Sequence, residues 1–194
     1  MRYKILDQNG LNFVTFTIVD WIDLFTRSAY CDIVLDSLRF CQKEKQLNIY
    51  AYVIMPSHIH LIIDTDNPNG LSPIIKSFKS YTAKSFLQYI NNLDNPESRR
   101  EWLLNRFEFN ARKQNSNSHN QIWKRDNHPI LLYSPEAIIT NLNYIHNNPI
   151  NAGYVDKAEH YRYSSATNYY GNEGLLNVIL IDDVWNNVGY VHTG

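Results

Sequence analysis

The sequence predicts an α+β fold built on an antiparallel sheet. Three observations carry this reading. Short alternating or β-rich runs occur at residues 11–19 and 48–64. Two long segments repeat their apolar residues at helical spacing. These patterns follow one another as β-α-β-β-α, with a later helix, an order that suits a sheet covered by helices.

LNFVTFTIV, residues 11–19, alternates and reads as the first strand. From Ser28 to about Gln46, Ile33, Val34, Leu38 and Cys41 recur at helical spacing with charges between them. NIYAYVIMP is a second strand that Pro56 closes, and HIHLIID is the simplest return strand of a hairpin. Asn67-Pro68-Asn69-Gly70 then marks a turn. LSPIIKSFKSYTAKSFLQYI is an amphipathic helix with Ser72 as candidate cap and Pro73 in the first turn. Ile74, Ile75, Phe78, Ala83, Phe86 and Leu87 form its apolar stripe, with Lys76, Lys79 and Lys84 outside it.

Residues 91–121 are polar and Asn-rich around a short helix at EWLLNRF, and read as an insertion or mobile segment. An extended stretch with IWKR and ILLY follows. Ser134-Pro135-Glu136 opens the next helix, EAIITNLNYIHNN, which Pro149 should end. The sum is a ferredoxin/RRM-like antiparallel sheet with helices packed on one face, plus a further C-terminal helix. Residues 1–170 form one domain and 171–194 a C-terminal strand or arm.

The chain has 194 residues and 44% hydrophobic composition, enough for a sizeable core and too apolar for disorder. No apolar run approaches a membrane span, and MRYKILDQNG does not read as a signal peptide. Cys31 and Cys41 are separated by about 15 Å of helical rise, which forbids a disulfide and suits a cytoplasmic chain. The net charge of −1 argues against a polycation that coats nucleic acid. That charge is uneven: residues 71–125 carry +6, between a segment 1–70 at −2 and a segment 126–194 at −5. A positive middle suggests a local anion site.

His58 and His60 stand two apart on a strand, so both imidazoles project from one face, as two nitrogen ligands of one divalent metal do. Two surface histidines are the plain alternative. Asp64 shares that face but lies about 13 Å along the strand from His60, too far to complete a site directly. A remaining ligand must come from elsewhere. Tyr144 and Asn148 are four apart on one helix face, offering a phenol and a carbonyl oxygen suited to a hard cation. Packing explains a tyrosine, and a helix stop an Asn before Pro, equally well.

AYVIMPSHIHLIID, FKSYTAKSF, YIHNNPINAGYV and YRYSSA, in that order, resemble the REP-associated tyrosine transposases, a branch of the single-tyrosine HUH (IS200-like) transposases. The resemblance runs from about Leu11 to Ala166. It implies that His58, His60 and Asn148 bind Mg²⁺ or Mn²⁺ and that Tyr144 is the nucleophile of a DNA-nicking and rejoining enzyme. It implies a 5′-phosphotyrosine intermediate and a single-stranded, hairpin-bearing DNA partner, with no membrane and either a monomer or a homodimer at the nucleoid. Lys76, Lys79, Lys124 and Arg125 are the candidate phosphate contacts; Tyr81, Trp123 or Tyr163 could stack on a base. Two departures stand out: NPINAG lacks the basic residue usual after this helix, and 91–121 is longer than the usual connection. A DNA-binding regulator that no longer cuts, and a metal hydrolase acting on a small substrate, are the alternatives.

Overall fold

The computed structural model describes residues 5–114 and 118–181. Its strands β1 (Asn12–Thr17), β2 (Leu47–Met55), β3 (His58–Thr65) and β4 (Ile130–Leu131) form one antiparallel sheet in the order β2-β3-β1-β4. The helices are α1 (Ser28–Lys45), α2 (Leu71–Asn91), α3 (Arg100–Lys113), α4 (Pro135–Asn151) and the short α5 (Ala166–Tyr169). This is the α+β architecture expected.

Alternation along the strands divides the sheet into two chemically different faces. Val14, Phe16 and Ile18 of the first strand region, Ile59, Leu61 and Ile63 of β3, and Ile49, Tyr52 and Ile54 of β2 point to one side. There they meet Val34, Leu35 and Leu38 of α1 and Ile74, Ile75, Phe78 and Phe86 of α2. The opposite side carries Phe13, Ala51, Val53, Met55 and Ile62, covered by Ile138, Leu142 and Ile145 of α4. So α1 and α2 share one face and α4 takes the other. A bulge between Ile49 and Ala51 turns Tyr50 to the α4 side.

Local chemistry departs from expectation at two of three helix ends. Ser72 does not cap α2; Gln8 does, its backbone and side-chain oxygens accepting from the amides of Leu71 and Ser72. Ser134 caps α4 as expected, accepting from the Ala137 amide. Pro149 does not end α4, because a proline in the last turn removes only one helical donor. The helix closes two residues later: Gly153 adopts φ 74°, its amide bonds to the Ile150 carbonyl, and the Tyr154 amide reaches that of Pro149. This is a Schellman closure, and it needs the glycine.

The helical part of 91–121 is longer than EWLLNRF, and its Leu103 and Phe107 are fully buried in the α1/α2 core. Before it, buried Glu97 accepts from the Tyr30 hydroxyl at 2.8 Å and pairs with Arg27 and Arg99. Beyond it, residues 122–127 run beside β1, with Thr15 and Val19 amides bonded to the carbonyls of Asn127 and Ile122. Cys31 and Cys41 are buried on α1, and burial pushes the Cys31 thiol up to about 12. The described part of the C-terminal arm is irregular and follows β2 through an Ile179 amide to Ile49 carbonyl bond. Residues 182–194 of that arm lie outside the described residues.

Burial alone would raise the Glu97 carboxyl, but bonds from the Arg99 amide, the Tyr30 hydroxyl and the Arg99 guanidinium hold it below its ordinary value. Glu97→Gln should cost about 2 kcal/mol at pH 7. The carboxylate's contribution is present above its unfolded pKa and is lost as pH falls through the folded one. The gap between wild type and variant in urea melts should therefore close as pH falls below about 4.

Candidate active site

Antiparallel pairing sets Thr17 opposite His58 and Thr15 opposite His60, with Met55 and Val53 on the other flank. Both imidazoles thus leave the sheet on the α4 side, and their ring centroids are 4.7 Å apart. His60 is buried, stacks on Phe13 and shares a 2.9 Å hydrogen bond between its Nδ1 and the Thr15 hydroxyl. Its Nε2 is buried without a hydrogen-bond partner. The half-buried His58 has Nδ1 at 3.2 Å from the Ser57 hydroxyl and its ring edge-on to Trp21.

Tyr144 reaches this pair from α4. Its ring lies 5.2 Å from that of His60 and 6.0 Å from that of Phe13, and it remains 47% exposed. Asn148 is half-buried one turn further along α4. Tyr144, 84 positions after His60 in the chain, is thus in ring contact with it, and Asn148 follows one turn later on the same helix.

Burial holds the His58 imidazole below its ordinary pKa and pushes that of His60 down to about 3, with the neighbouring His58 adding to the effect. Both rings are therefore neutral at physiological pH, the form in which imidazole binds a metal. In the tautomer whose Nδ1–H donates to Thr15, the orphaned Nε2 of His60 keeps a lone pair without a partner. The donor set fits a divalent cation on that ground. Among the described residues no three His, Cys, Asp or Glu side chains gather as a metal cluster. Asp64 is occupied elsewhere, accepting from the Tyr50 hydroxyl and the Asn48 amide.

The candidate DNA contacts fall in different places. Lys76 is exposed on α2. Lys79 is internal: its ammonium donates to the Lys124 carbonyl and to Asn127 Oδ1, and burial pushes it down to about 8. It ties α2 to the strand-like segment rather than facing solvent. Lys124 and Arg125 border an open cleft of about 750 Å³ with Asp20, Asn110 and Lys113. Of the candidate stacking residues, Trp123 is buried and donates to Thr82, Tyr163 packs on the α1/α2 core, and Tyr81 lines a groove between α1 and α2.

Sequence reasoning passed over Thr15, Ser57 and Trp21. Their roles come from register and turn geometry, for which no local motif exists. It also set aside His146, which is buried and hydrogen-bonded through Nε2 to the Ser165 hydroxyl at 3.0 Å. Burial pushes His146 down to about 4. Both His60 and His146 are neutral when folded and protonate more readily when unfolded, so acid favours unfolding. Metal-free protein should lose roughly 1.4 kcal/mol per histidine per pH unit between about pH 6 and pH 4. Chemical denaturation across that range measures it, and His146→Asn should lower the slope by one histidine's share.

Residues 23–108, which include both site histidines but not Tyr144, match the family model described as Transposase IS200 like. The fold is similar to a solved structure of a REP-associated tyrosine transposase bound to a REP hairpin, at TM-score 0.63 and 14% identity over 90% of this chain and 88% of that one. A provisionally assigned transposase from Deinococcus radiodurans R1 aligns at TM-score 0.42 and 18% identity over 76% of this chain and 97% of that one, too loosely to bear on the fold. No curated protein matches the chain. The histidine strand thus lies inside the segment that is similar to the IS200-like transposase family model, on a fold similar to that of a tyrosine transposase.

Proposed function

We propose that the chain nicks and rejoins single-stranded DNA beside hairpins, with Tyr144 as nucleophile and His58, His60 and Asn148 as ligands of Mg²⁺ or Mn²⁺. The observation that carries this reading is the 5.2 Å approach of the Tyr144 ring to that of His60. A packing tyrosine has no need to stand half-exposed against an imidazole whose outer nitrogen is unpaired. The hairpin-bound transposase of like fold supports the same class of DNA partner for this chain.

A cation bound at these residues supplies Lewis-acid polarisation of the phosphoryl group. His60 is fixed by Thr15 and Phe13, and His58 by Ser57 and Trp21, so neither ring must reorganise. Tyr144 sits on a rigid helix, which holds its hydroxyl for in-line approach. Its oxygen bonds to phosphorus as the bond to the 3′-oxygen breaks; the phenolic proton leaves and the 3′-oxygen gains one. The product is a 5′-phosphotyrosine and a 3′-hydroxyl. Rejoining reverses these bonds and needs no nucleotide. Flanked by Trp21 and Phe13, the imidazole pair suits a strand that can splay one phosphate inward, which a paired duplex cannot do easily.

His60 and Tyr144 meet within one chain, which supports a site complete in a monomer. Lys76, Lys124 and Arg125 remain as phosphate contacts, in a cytoplasmic, nucleoid setting. No helix among the described residues is long and apolar enough to cross a membrane.

Purified protein, Mn²⁺ and a labelled hairpin oligonucleotide with single-stranded flanks should give a covalent adduct stable to denaturing electrophoresis. Tyr144→Phe should abolish it, and an undiminished adduct would remove Tyr144 from its role. His58→Ala should lose cleavage while hairpin affinity changes less than about threefold; equal loss of both would make the histidines structural. Thr15→Val should weaken Mn²⁺ binding about tenfold or more by calorimetry, through the lost orientation of His60.

A further inference from the structure

Between β1 and α1 the chain makes a turn, Val19–Trp21, in which two successive non-glycine residues take left-handed backbone angles: Asp20 at φ 54° and Trp21 at φ 56°. Such conformations are costly and persist only where the surroundings enforce them. Here they are enforced. Asp20 accepts from Arg106 and from Asn110 of α3, and the turn's amides are bonded to carbonyls on both sides: Ile18 to Ser57 and Val19 to Ile122.

The outcome of this strained turn is an indole held out of the core. Trp21 is 57% exposed, although three other tryptophans were available to the sequence and Trp123 beside it is buried. One edge contact joins it to His58 at 5.5 Å between centroids, and the Lys124 ammonium stands 4.3 Å from its ring centre. Lys124 also lines the 750 Å³ cleft, together with Lys113 and Arg125. Proceeding outward from the candidate metal site, the surface therefore presents an imidazole, an aromatic ring and a run of cations. That is the order of chemistry a single strand needs: a reacting phosphate, a platform for an unpaired base, then countercharge for the next phosphates.

We propose that Trp21 is the base-stacking residue for the nucleotide flanking the scissile phosphate, and that the cleft edged by Lys113, Lys124 and Arg125 carries the continuing single strand. This rests on the single-stranded DNA reading above and adds a specificity-determining residue and a strand path to it. Arg106 and Asn110 act indirectly, as positioning residues that hold the turn through Asp20. The acidic side chains at the cleft, Asp20 and Asp126, make it a poor site for a loose polyanion and favour a strand seated in one register.

The test compares two DNA probes on the full chain carrying Tyr144→Phe, which prevents turnover: a blunt hairpin, and the same hairpin with a thymidine tail. Trp21→Ala and Trp21→Gly should each weaken binding of the tailed probe about tenfold and leave the blunt probe unchanged, while Trp21→Phe keeps most of the affinity. Trp21→Gly also guards against misfolding, since glycine accepts the left-handed turn without strain. Lys113→Gln and Lys124→Gln should each lower the salt dependence of tailed-probe binding by about 0.7 in log–log slope. Unchanged affinity of the alanine and glycine variants for the tailed probe, or equal loss on both probes, overturns the assignment of Trp21. Failure of the parent to bind either probe overturns the DNA reading itself.

Discussion

The pairing register of β1 with β3 is the constraint on which the site depends. With Thr15 opposite His60 and Thr17 opposite His58, the two histidines face α4 while Ile59, Leu61 and Ile63 face α1 and α2. A slip of one residue would exchange those faces. It would expose three aliphatic side chains, each worth about 1.5–3 kcal/mol when fully buried, and drive two imidazoles into the main core. The chemistry of one face is thus held in place by the packing of the other. His60 can remain neutral with an unpaired Nε2 because the cost of that orphan is small against the aliphatic burial that fixes its strand.

Positioning Tyr144 requires a second set of interactions, from the chain that follows α4. Ile138, Leu142 and Ile145 bind the helix to the sheet, but an apolar stripe tolerates sliding. Directional bonds remove that freedom. His146 on α4 reaches the Ser165 hydroxyl, which also accepts from the Tyr52 amide, so one serine joins α4 to β2. Around it, the Ile54 amide bonds to the Tyr163 carbonyl, and the hydroxyls of Tyr161 and Tyr169 donate to the carbonyls of Ile54 and Tyr50. YRYSSA is therefore a latch along the β2 edge. Its residues have no place in the chemistry, yet they decide where the tyrosine two positions before His146 stands.

What could be read from the residues alone follows from the same physics. Periodicity exposed the sheet, the three main helices and the common face of His58 and His60, because alternation and helical spacing are local properties. Register is not local. Thr15 has no signal as a partner of His60 until β1 is aligned with β3, and Trp21 looks like any aromatic until the turn at Asp20 is known to be left-handed. Lys79 illustrates the reverse error: its place outside the apolar stripe of α2 suggested solvent, whereas the returning segment 122–127 covers it. At α4 Pro149 suggests the stop, whereas the stop signal is Gly153, four residues on, where a positive φ is required.

The charge pattern changes meaning in the same way. The +6 of residues 71–125 is not one patch. Arg99 is spent on Asp23 and Glu97, Arg100 on the carbonyls of Ile90, Asn92 and Asn95, Arg106 on Asp20, and Lys79 on the segment beside β1. These cations tie α3 and its flanks to the end of α2 and to the segment between β1 and α1, and through Asp20, Arg106 shapes the turn that presents Trp21. The remainder at the cleft, Lys113, Lys124 and Arg125, is too few for tight grip on a duplex, and Lys124 adjoins Trp21, whose ring meets that of His58. Four of the ten basic residues in the segment thus hold the fold and three edge the cleft, so the +6 of the sequence is divided between structure and an open surface.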